Sequence, residues 1–163
     1  MVREPMVSSD GESSACRILP IAVTELVAIW PLVEPHLRRA LSYCHNCWEP
    51  VDILAELMRG EAELWVAWLP PTTPAAGQMP QDAEVLAAMV TRIIPYPRRK
   101  SCQIFLIGGR RMRLWSEPFL TTIEAYARSH KCHLLEGGAR LGWSRVGNFR
   151  QVGVTLIKEI HYG

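Results

Sequence analysis

The sequence lacks a strong net charge of either sign. Its 163 residues include 18 lysines and arginines against 16 acidic residues, for a formal net charge of +2. Proteins that bind nucleic acid over a broad surface carry a clear excess of basic residues, so no nucleic-acid partner is expected. The basic residues that stand together form two short clusters, at positions 98–100 and 110–113. Any anion is therefore expected to bind at a local site.

Long apolar runs are also missing. No stretch approaches the length of a membrane-spanning helix, about 20 apolar residues, so no membrane association is expected. The first 16 residues are small and polar, without the apolar core of a secretory signal. We expect residues 1–16 to form a disordered polar tail. Residues 17–163 are expected to form one domain, because a chain of this length holds a single full core.

The cysteines do not form the even, regular set of a disulfide framework. There are five, namely Cys16, Cys44, Cys47, Cys102 and Cys132. Free thiols in a reducing compartment are expected, which predicts a cytoplasmic location. Cys44 and Cys47 form a C-x-x-C pair around His45, between two predicted helices. A zinc site needs four ligands, and the only further one nearby in sequence is His36. We expect no metal site, and a packing or capping role for the pair.

The spacing of apolar residues predicts a single α/β (α+β) domain, with a mixed central sheet flanked by helices in the order ααβββαβ(α)β. Pro31 and Pro35 are expected to kink or split the first helix. The run QIFLI is continuously apolar, so it is expected to be a central strand covered on both faces. The predicted helices are 21–42, 50–59 and 110–130, and the predicted strands are 63–69, 84–94, 103–107, 133–136 and 149–160.

A double glycine and an arginine cluster stand where the central strand passes into the long helix. Free amides and the helix dipole favour a phosphate group at such a point. Gly108 and Gly109 allow a ligand to approach the backbone closely. Arg110, Arg111 and Arg113 add charges that can pair with phosphate oxygens. The alternative is a plain turn with solvated arginines, because a single glycine-rich turn is a weak signal.

The element order and this segment resemble the GNAT superfamily of acyl-CoA-dependent N-acyltransferases. In that family the central strand is followed by Q/R-x-x-G-x-G/A, whose amides hold the pyrophosphate of coenzyme A. The following helix ends in a pattern like A-R-x-x-G-C, which residues 127–132 (ARSHKC) fit. Counting back places the phosphate motif on residues 111–116. Arg111 and Ser116 match its first and last positions, and Leu114 stands where the family has glycine.

The resemblance implies acetyl-CoA, or another acyl-CoA, as a co-substrate and an amine as the acceptor. Glu136 and His133, near the end of the next strand, are the candidates for the base that deprotonates the amine. For both residues, a solvent-facing strand end remains the alternative. Backbone donors near Leu106 and Ile107 would stabilise the developing oxyanion. The residues expected to hold the cofactor are Leu106, Ile107, Gly108, Gly109, Arg110, Arg111, Met112, Arg113 and Ser116.

The sequence departs from the family pattern near its end. The family carries a tyrosine, as the acid for the leaving thiolate, five residues before the phenylalanine of a G-F pair. Phe149 matches that phenylalanine, but Asn148 and Ser144 replace the glycine and the tyrosine. Two hypotheses follow: an active N-acyltransferase, or a GNAT-fold protein that has lost catalysis and serves in assembly. Residues 138–145 also resemble acyltransferase-like proteins of tailed phages. Under the second hypothesis, this resemblance would make the protein a virion component.

Partners follow from these hypotheses. An active enzyme would bind an acyl-CoA and an amine, in the cytoplasm or, for a phage protein, in the host cytoplasm or the virion. A protein partner or a homo-oligomer is expected in either case. Trp48 and Trp143 fall in predicted loops, where an indole ring lines a cleft or a partner surface.

Overall fold

The computed structural model describes residues 15–44, 47–71, 83–138, 143–153 and 155–162. Most of the predicted tail, residues 1–14, therefore lies outside the described residues. None of the helices in these ranges is long and apolar enough to cross a membrane. The strands are β1 (Arg17–Ile21), β2 (Glu63–Leu69), β3 (Glu84–Pro95), β4 (Lys100–Gly109) and β5 (Leu134–Gly137). The helices are α1 (Leu26–Leu41), α2 (Pro50–Met58), α3 (Ser116–Ser129) and α4 (Ser144–Gly147), with short 3-10 turns at Val23–Glu25 and Met112–Leu114.

The five strands form one mixed sheet in the order β1-β2-β3-β4-β5. Neighbouring strands from β1 to β4 are antiparallel, and β5 is parallel to β4. The parallel pair needs a crossover between its strands, and α3 supplies it. The predicted mixed sheet flanked by helices is thus confirmed. Strand β5 pairs only with residues 101–104, so β4 runs on beyond the end of its partner.

The sheet separates two apolar clusters. Helices α1 and α2 cover one face with residues such as Val33, Leu37 and Ile53, and α3 covers the other with Phe119 and Ile123. Full burial of each such side chain stabilises the fold by about 1.5–3 kcal/mol. Strand β4 contributes to both clusters, as its continuous apolar run predicts.

Helix α1 is continuous through both of its prolines, so the predicted split is wrong. Pro31 and Pro35 are four residues apart and both are exposed, while Val33 and Leu37 lie on the buried stripe. Each proline removes one backbone hydrogen bond. Because the residues four positions earlier are also exposed, the freed carbonyls can bond to water, and the buried face holds the helix together.

Two differences from the predicted elements lie at the ends of the domain. Strand β1 was not predicted, because its half-exposed sequence RILPI contains a proline, which only an edge strand tolerates. The strand predicted over 149–160 is not formed, since residues 148–153 and 155–162 carry no regular structure. Alternation predicts a strand, but a strand also needs a neighbour to pair with.

A close contact between a helix and the sheet lies at Gly108 of β4. A Cβ atom there would collide with the backbone carbonyl of His36 in α1, and would crowd the Cβ of Ala40. Backbone cannot move aside as a flexible side chain can. Glycine is therefore required for α1 to lie this close to β4.

We expect Gly108→Ala to lower the free energy of unfolding by about 1–3 kcal/mol, because the added methyl group overpacks this contact. The matched control is Gly138→Ala, where no atom lies within 4 Å of the new Cβ. Urea denaturation followed by circular dichroism measures both. Equal stability of the two variants would contradict the assigned role of Gly108.

Candidate functional site

Strands β4 and β5 separate at a β-bulge. Val90 pairs with Leu106 and Thr91 pairs with Ile104, so β4 carries one extra residue, Phe105. A bulge bends its strand and increases the local twist. The pairing of β4 with β5 ends at Ile104, directly before the bulge. Residues 105–109 of β4 therefore have an open edge where β5 no longer accompanies them.

The hydrogen bonding of β4 shows which amides face this open edge. The N–H of Arg110 donates to the carbonyl of Leu86 in β3 at 2.9 Å. Bonding toward β3 alternates along an antiparallel strand, so Leu106 and Gly108 also face β3. The amides of Ile107 and Gly109 face the opposite way, into the opening. Of the two predicted oxyanion donors, Ile107 presents its amide there, and Leu106 is buried and directed at β3.

The loop after β4 is a 3-10 turn held by a buried tryptophan. The N–H of Leu114 donates to the carbonyl of Arg111 at 2.9 Å, and the N–H of Trp115 donates to that of Met112 at 3.2 Å. The indole N–H of Trp115 donates to the carbonyl of Arg110 at 2.8 Å. The first amides of such a turn, at Met112 and Arg113, have no acceptor within it. They are available to an anion.

Ser116 and Pro118 mark the start of α3. Ser116 is the first helical residue, and Trp115 stands at the cap without a side-chain hydrogen bond. Pro118 lies in the first turn, where its missing N–H costs no hydrogen bond. The helix predicted over 110–130 is therefore shorter than expected: it begins at Ser116, after the 3-10 turn. Leu114 is 40% exposed and Trp115 is buried in the core under α3, so Leu114 lies at the surface of the loop.

The arginines of this loop meet a carboxylate that the sequence analysis missed. Glu84 forms an ion pair with Arg110, and its Oε2 lies 3.5 Å from Nη1 of Arg111. Both guanidinium groups are about half exposed, and such pairs contribute about 0–1 kcal/mol. An anion can therefore displace Glu84. Arg113 is exposed and forms no ion pair with any residue that the structure describes.

Glu84 could have been found from the antiparallel arrangement of β3 and β4. Because the strands run in opposite directions, the first residue of β3 lies beside the last residues of β4. The second basic cluster, residues 98–100, lies at the other end of β4. The two basic clusters therefore lie at opposite ends of the sheet.

The two candidate bases lie at different positions along the chain: Glu136 is within β5 and His133 comes just before it. Glu136 pairs with Gln103, one residue before the strands part, and its Oε1 accepts a hydrogen bond from the Tyr96 hydroxyl at 2.9 Å. His133 precedes β5, where its Nδ1 accepts the N–H of Lys100 at 3.2 Å. Three residues of strand separate the two, about 10 Å. The structure thus brings Glu136, and not His133, next to the opening.

Arg92 joins Phe105 of the bulge to Trp48, which precedes α2. Its guanidinium carbon lies 3.5 Å from the centroid of Phe105 and 5.0 Å from that of Trp48. The two rings meet edge to face at 5.2 Å. Arg92 also forms a mostly buried ion pair with Glu56 of α2, with Nε 2.9 Å from Oε2. Cation–π contacts of this kind contribute about 0.5–2 kcal/mol.

This cluster lies in register with Glu136. Arg92 of β3 is opposite Gln103 of β4, and Gln103 is opposite Glu136 of β5. Residues opposite one another across a sheet point to the same face. The face covered by α1 and α2 therefore carries the Trp48–Phe105–Arg92 cluster and the carboxylate of Glu136, on either side of the opening. Trp143, in contrast, contacts Trp115 at a centroid distance of 6.1 Å, beside α3.

Other parts of the described structure are weaker candidates for a functional site. Shallow cavities of about 330 and 400 Å³ lie away from the opening, one between α1 and α2 beside Trp30 and Glu34, the other between β1 and α2. The cysteines are free thiols. No group of three or more metal-ligating side chains occurs in the ranges that the structure describes.

His36 makes the stability of the folded protein depend on pH. Its Nε2 lies 3.2 Å from the carbonyl oxygen of Val85 in β3. Burial lowers the pKa of His36; the hydrogen bond to Val85 and nearby Glu84 oppose this shift, and Arg110 and Arg39 add to it. The folded protein therefore holds His36 neutral at a pH where the unfolded chain protonates it, and stability rises with pH across that window.

We expect the free energy of unfolding to fall as the pH drops below about 6.5, the ordinary value for histidine. His36→Asn should reduce the slope below that pH. His161→Asn changes an exposed histidine and serves as the control. Urea denaturation at a series of pH values measures the slopes. An unchanged slope in His36→Asn would contradict the assignment.

The sequence matches no protein-family model and no curated protein. Solved structures match it in shape. A ribosomal-protein-alanine N-acetyltransferase from Brucella melitensis biovar Abortus is 14% identical, with a TM-score of 0.59 over 91% of this chain and 100% of that one. An aminoglycoside N-acetyltransferase in complex with CoA is 11% identical, with a TM-score of 0.61 over 93% and 99%.

A GNAT family acetyltransferase from Staphylococcus aureus is 9% identical, with a TM-score of 0.58 over 90% of this chain and 99% of that one. At such identities the likeness shows the fold alone. Each match spans most of both chains, and the strand order and the crossover helix agree with the resemblance found in the sequence. The chain therefore has the GNAT fold.

Proposed function

We propose that this protein is an N-acyltransferase that moves an acyl group, with acetyl as the expected one, from coenzyme A to an amine. The observation that carries the proposal is the parting of β4 and β5 at the Phe105 bulge, which turns the amides of Ile107 and Gly109 toward an opening. The amine nitrogen attacks the thioester carbonyl, a C–N bond forms, and the C–S bond breaks. Coenzyme A leaves as the thiol after taking up a proton.

The loop after β4 would hold the pyrophosphate of the donor. The amides of Met112 and Arg113, which have no acceptor within the turn, and the exposed side chain of Arg113 would bind it there, while Arg110 and Arg111 would exchange Glu84 for phosphate oxygens. Main-chain amides and a bidentate guanidinium are strong phosphate donors. The presence of CoA in one structural neighbour supports this assignment.

The chemistry would take place where the strands part. The amide of Ile107 would stabilise the oxyanion that develops on the thioester carbonyl. Glu136 is our choice for the base, because Tyr96 orients its carboxylate and the opening begins one residue beyond it. His133 is the second candidate, but its ring is engaged by the backbone of Lys100. The acceptor amine would enter between Glu136 and the Trp48–Phe105–Arg92 cluster.

A second candidate function is a GNAT-fold protein without catalysis, such as an assembly or virion component. Leu114 in the glycine position and Ser144 in the tyrosine position favour it. Leu114 is exposed on the loop that would meet the pyrophosphate, so its side chain competes for that space. Such a protein would show weak binding of acyl-CoA or none, and no turnover.

Isothermal titration calorimetry with acetyl-CoA tests the donor site. We expect Arg111→Ala and Arg113→Ala each to weaken binding by about tenfold to a hundredfold, the value of a charged hydrogen bond of about 1.5–3 kcal/mol. Glu84→Gln should tighten binding, because it frees Arg110 and Arg111. The matched control is Arg98→Ala, which removes an arginine at the other end of β4.

The outcomes of the titration separate the two candidates. Heat of binding that depends on Arg111 and Arg113 but not on Arg98 supports the donor site. No heat at millimolar acetyl-CoA would remove the enzyme proposal. Equal effects of all the arginine variants would indicate nonspecific attraction of a polyanion.

Turnover is tested with acetyl-CoA and amine acceptors such as an alanyl peptide and an aminoglycoside. Glu136→Gln should lower kcat by about 10²- to 10⁴-fold, the range for loss of a general base, and leave acetyl-CoA affinity unchanged. His133→Gln, which changes the residue just before β5, is the comparison and should stay near wild type. The acylated product is measured by mass spectrometry, because the free thiols of the protein would react with a thiol reagent. Binding without turnover of any amine would favour the second candidate.

A further inference from the structure

One corner of the sheet carries a cluster of cations that the proposed function does not use. The turn between β3 and β4 contains Arg98 and Arg99, β4 begins at Lys100, and the turn between α3 and β5 contains Lys131. We call these four residues the basic corner. All of them except the half-buried Lys100 are exposed. The basic corner lies at the opposite end of β4 from the loop at 110–113, so it is separate from the candidate donor site.

Hydrogen bonds hold the two turns of the basic corner together. The N–H of His133 donates to the carbonyl of Lys100 at 2.7 Å, and Nδ1 of His133 accepts the N–H of Lys100 at 3.2 Å. The ammonium group of Lys100 donates to the carbonyl of His130 at 3.1 Å. The backbones that carry these like charges therefore stay adjacent, although the charges repel one another.

No carboxylate neutralises the basic corner. Its four cations form no ion pair with any residue that the structure describes. On the adjoining elements, Glu124 is paired with Arg128, and Glu136 accepts the hydroxyl of Tyr96. The whole chain has a net charge of only +2, so four unpaired cations at one corner are a large local excess. Such a local field attracts an anionic ligand.

Lys131 holds its charge at a backbone position that favours glycine. The N–H of Lys131 donates to the carbonyl of Arg128 at 2.9 Å, and the N–H of Cys132 donates to that of Ala127 at 2.9 Å. These two bonds form a Schellman motif, whose left-handed position is usually glycine. Here that position is Lys131, with a φ of 56°. Arg111 of the candidate donor site is another cation in this strained conformation. The backbone at Lys131 would be less strained with glycine, but the charge would be lost.

The amides of the turn between α3 and β5 are already bonded within the protein. The N–H groups of residues 130–132 donate to carbonyls of α3, and that of His133 donates to Lys100. A compact phosphate group is bound largely by free amides that converge on one point, and this turn has none to offer. The groups that remain are long cationic side chains on two turns. They suit several carboxylates spaced along a chain.

The surroundings of the basic corner disfavour nucleic acid as its ligand. Bases of a single strand stack on aromatic rings, and the exposed ring on the turn between β3 and β4 is Tyr96 (47%). Its hydroxyl donates to the carboxylate of Glu136 at 2.9 Å, so a negative charge stands where a phosphate backbone would follow a stacked base. A peptide need not approach this ring. A short acidic peptide therefore fits the basic corner better.

We propose that the basic corner binds an acidic peptide segment of a partner protein. Carboxylates of its aspartate or glutamate residues would pair with Arg98 and Arg99 on one turn and with Lys131 on the other. Arginine clusters recognise acidic motifs in this way, and a guanidinium can hold a carboxylate with two hydrogen bonds. The proposal holds whether or not the protein transfers acyl groups, because the donor loop lies at the other end of β4.

Fluorescence anisotropy with the full chain and a labelled peptide of alternating glutamate and glycine tests the proposal. We expect binding at low salt that weakens as salt is added, and none of the matching glutamine peptide. Arg98→Gln and Arg99→Gln should each raise the dissociation constant about 2- to 5-fold, the effect of one exposed ion pair. Arg17→Gln changes an exposed arginine on the other edge strand and should have no effect.

Lys131→Gly and Lys131→Ala separate the charge of this lysine from its backbone conformation. Both variants remove the cation, so both should raise the dissociation constant of the peptide about 2- to 5-fold. Only glycine relieves the left-handed backbone, so Lys131→Gly should unfold at a higher urea concentration than Lys131→Ala. Circular dichroism gives the midpoints and shows that each variant is folded. Unchanged binding in both variants would remove Lys131 from the proposed surface.

Three further results would overturn the proposal. The first is no binding of the glutamate peptide at low salt. The second is tighter binding of an oligouridylate than of the peptide, which would make nucleic acid the ligand. The third is a loss of peptide binding in Arg17→Gln or Arg113→Gln that equals the loss in Arg98→Gln. That result would indicate general attraction to the protein or binding at the loop after β4.

Discussion

The close approach of α1 to β4 at Gly108 is the constraint on which the rest of the site depends. Because the carbonyl of His36 occupies the space of a side chain at this position, α1 lies directly over the strand that forms the opening. That contact carries His36 to Val85 and into the neighbourhood of Arg110. Strand β4 is packed on one face against α1 and on the other against the cluster under α3.

The charges around the loop after β4 form a basic patch that one carboxylate partly neutralises. Glu84 neutralises part of the charge of Arg110 and Arg111, while Arg113 remains unpaired among the described residues. Since these ion pairs are exposed and weak, little free energy is lost when a phosphate replaces the carboxylate.

Local patterns predicted most of the sheet and helices, because β2, β3, β4 and α3 carry clear periodicity and defined turns. The sequence-based predictions were wrong where the structure depends on contacts with residues that are distant in the sequence. Strand β1 is short and exposed and exists because it pairs with β2. Residues 149–160 have the alternation of a strand but form none in the described part of the chain. Pro31 and Pro35 fall on the water-facing side of α1, which only the packing of α1 decides.

The candidate site was predictable in part for the same reason. The glycines, the arginines and Glu136 stand next to recognisable elements, so a single sequence is enough to single them out. Glu84 and the contacts of Arg92 with Trp48 and Phe105 depend on register across strands and on the approach of α2. Glu56 and Arg92, for example, lie 36 residues apart in the chain, a separation at which the sequence carries no local signal.

The bulge at Phe105 has a consequence for how such a protein changes over time. The opening it creates is lined by main-chain amides, and every residue except proline has an amide. Substitutions along this edge therefore leave its hydrogen-bonding pattern intact, provided that the strand keeps its shape and Gly108 its place. Selection can then preserve the backbone geometry while the amino acids along this edge are substituted. Proteins with this fold therefore keep a similar backbone structure after their sequences have diverged.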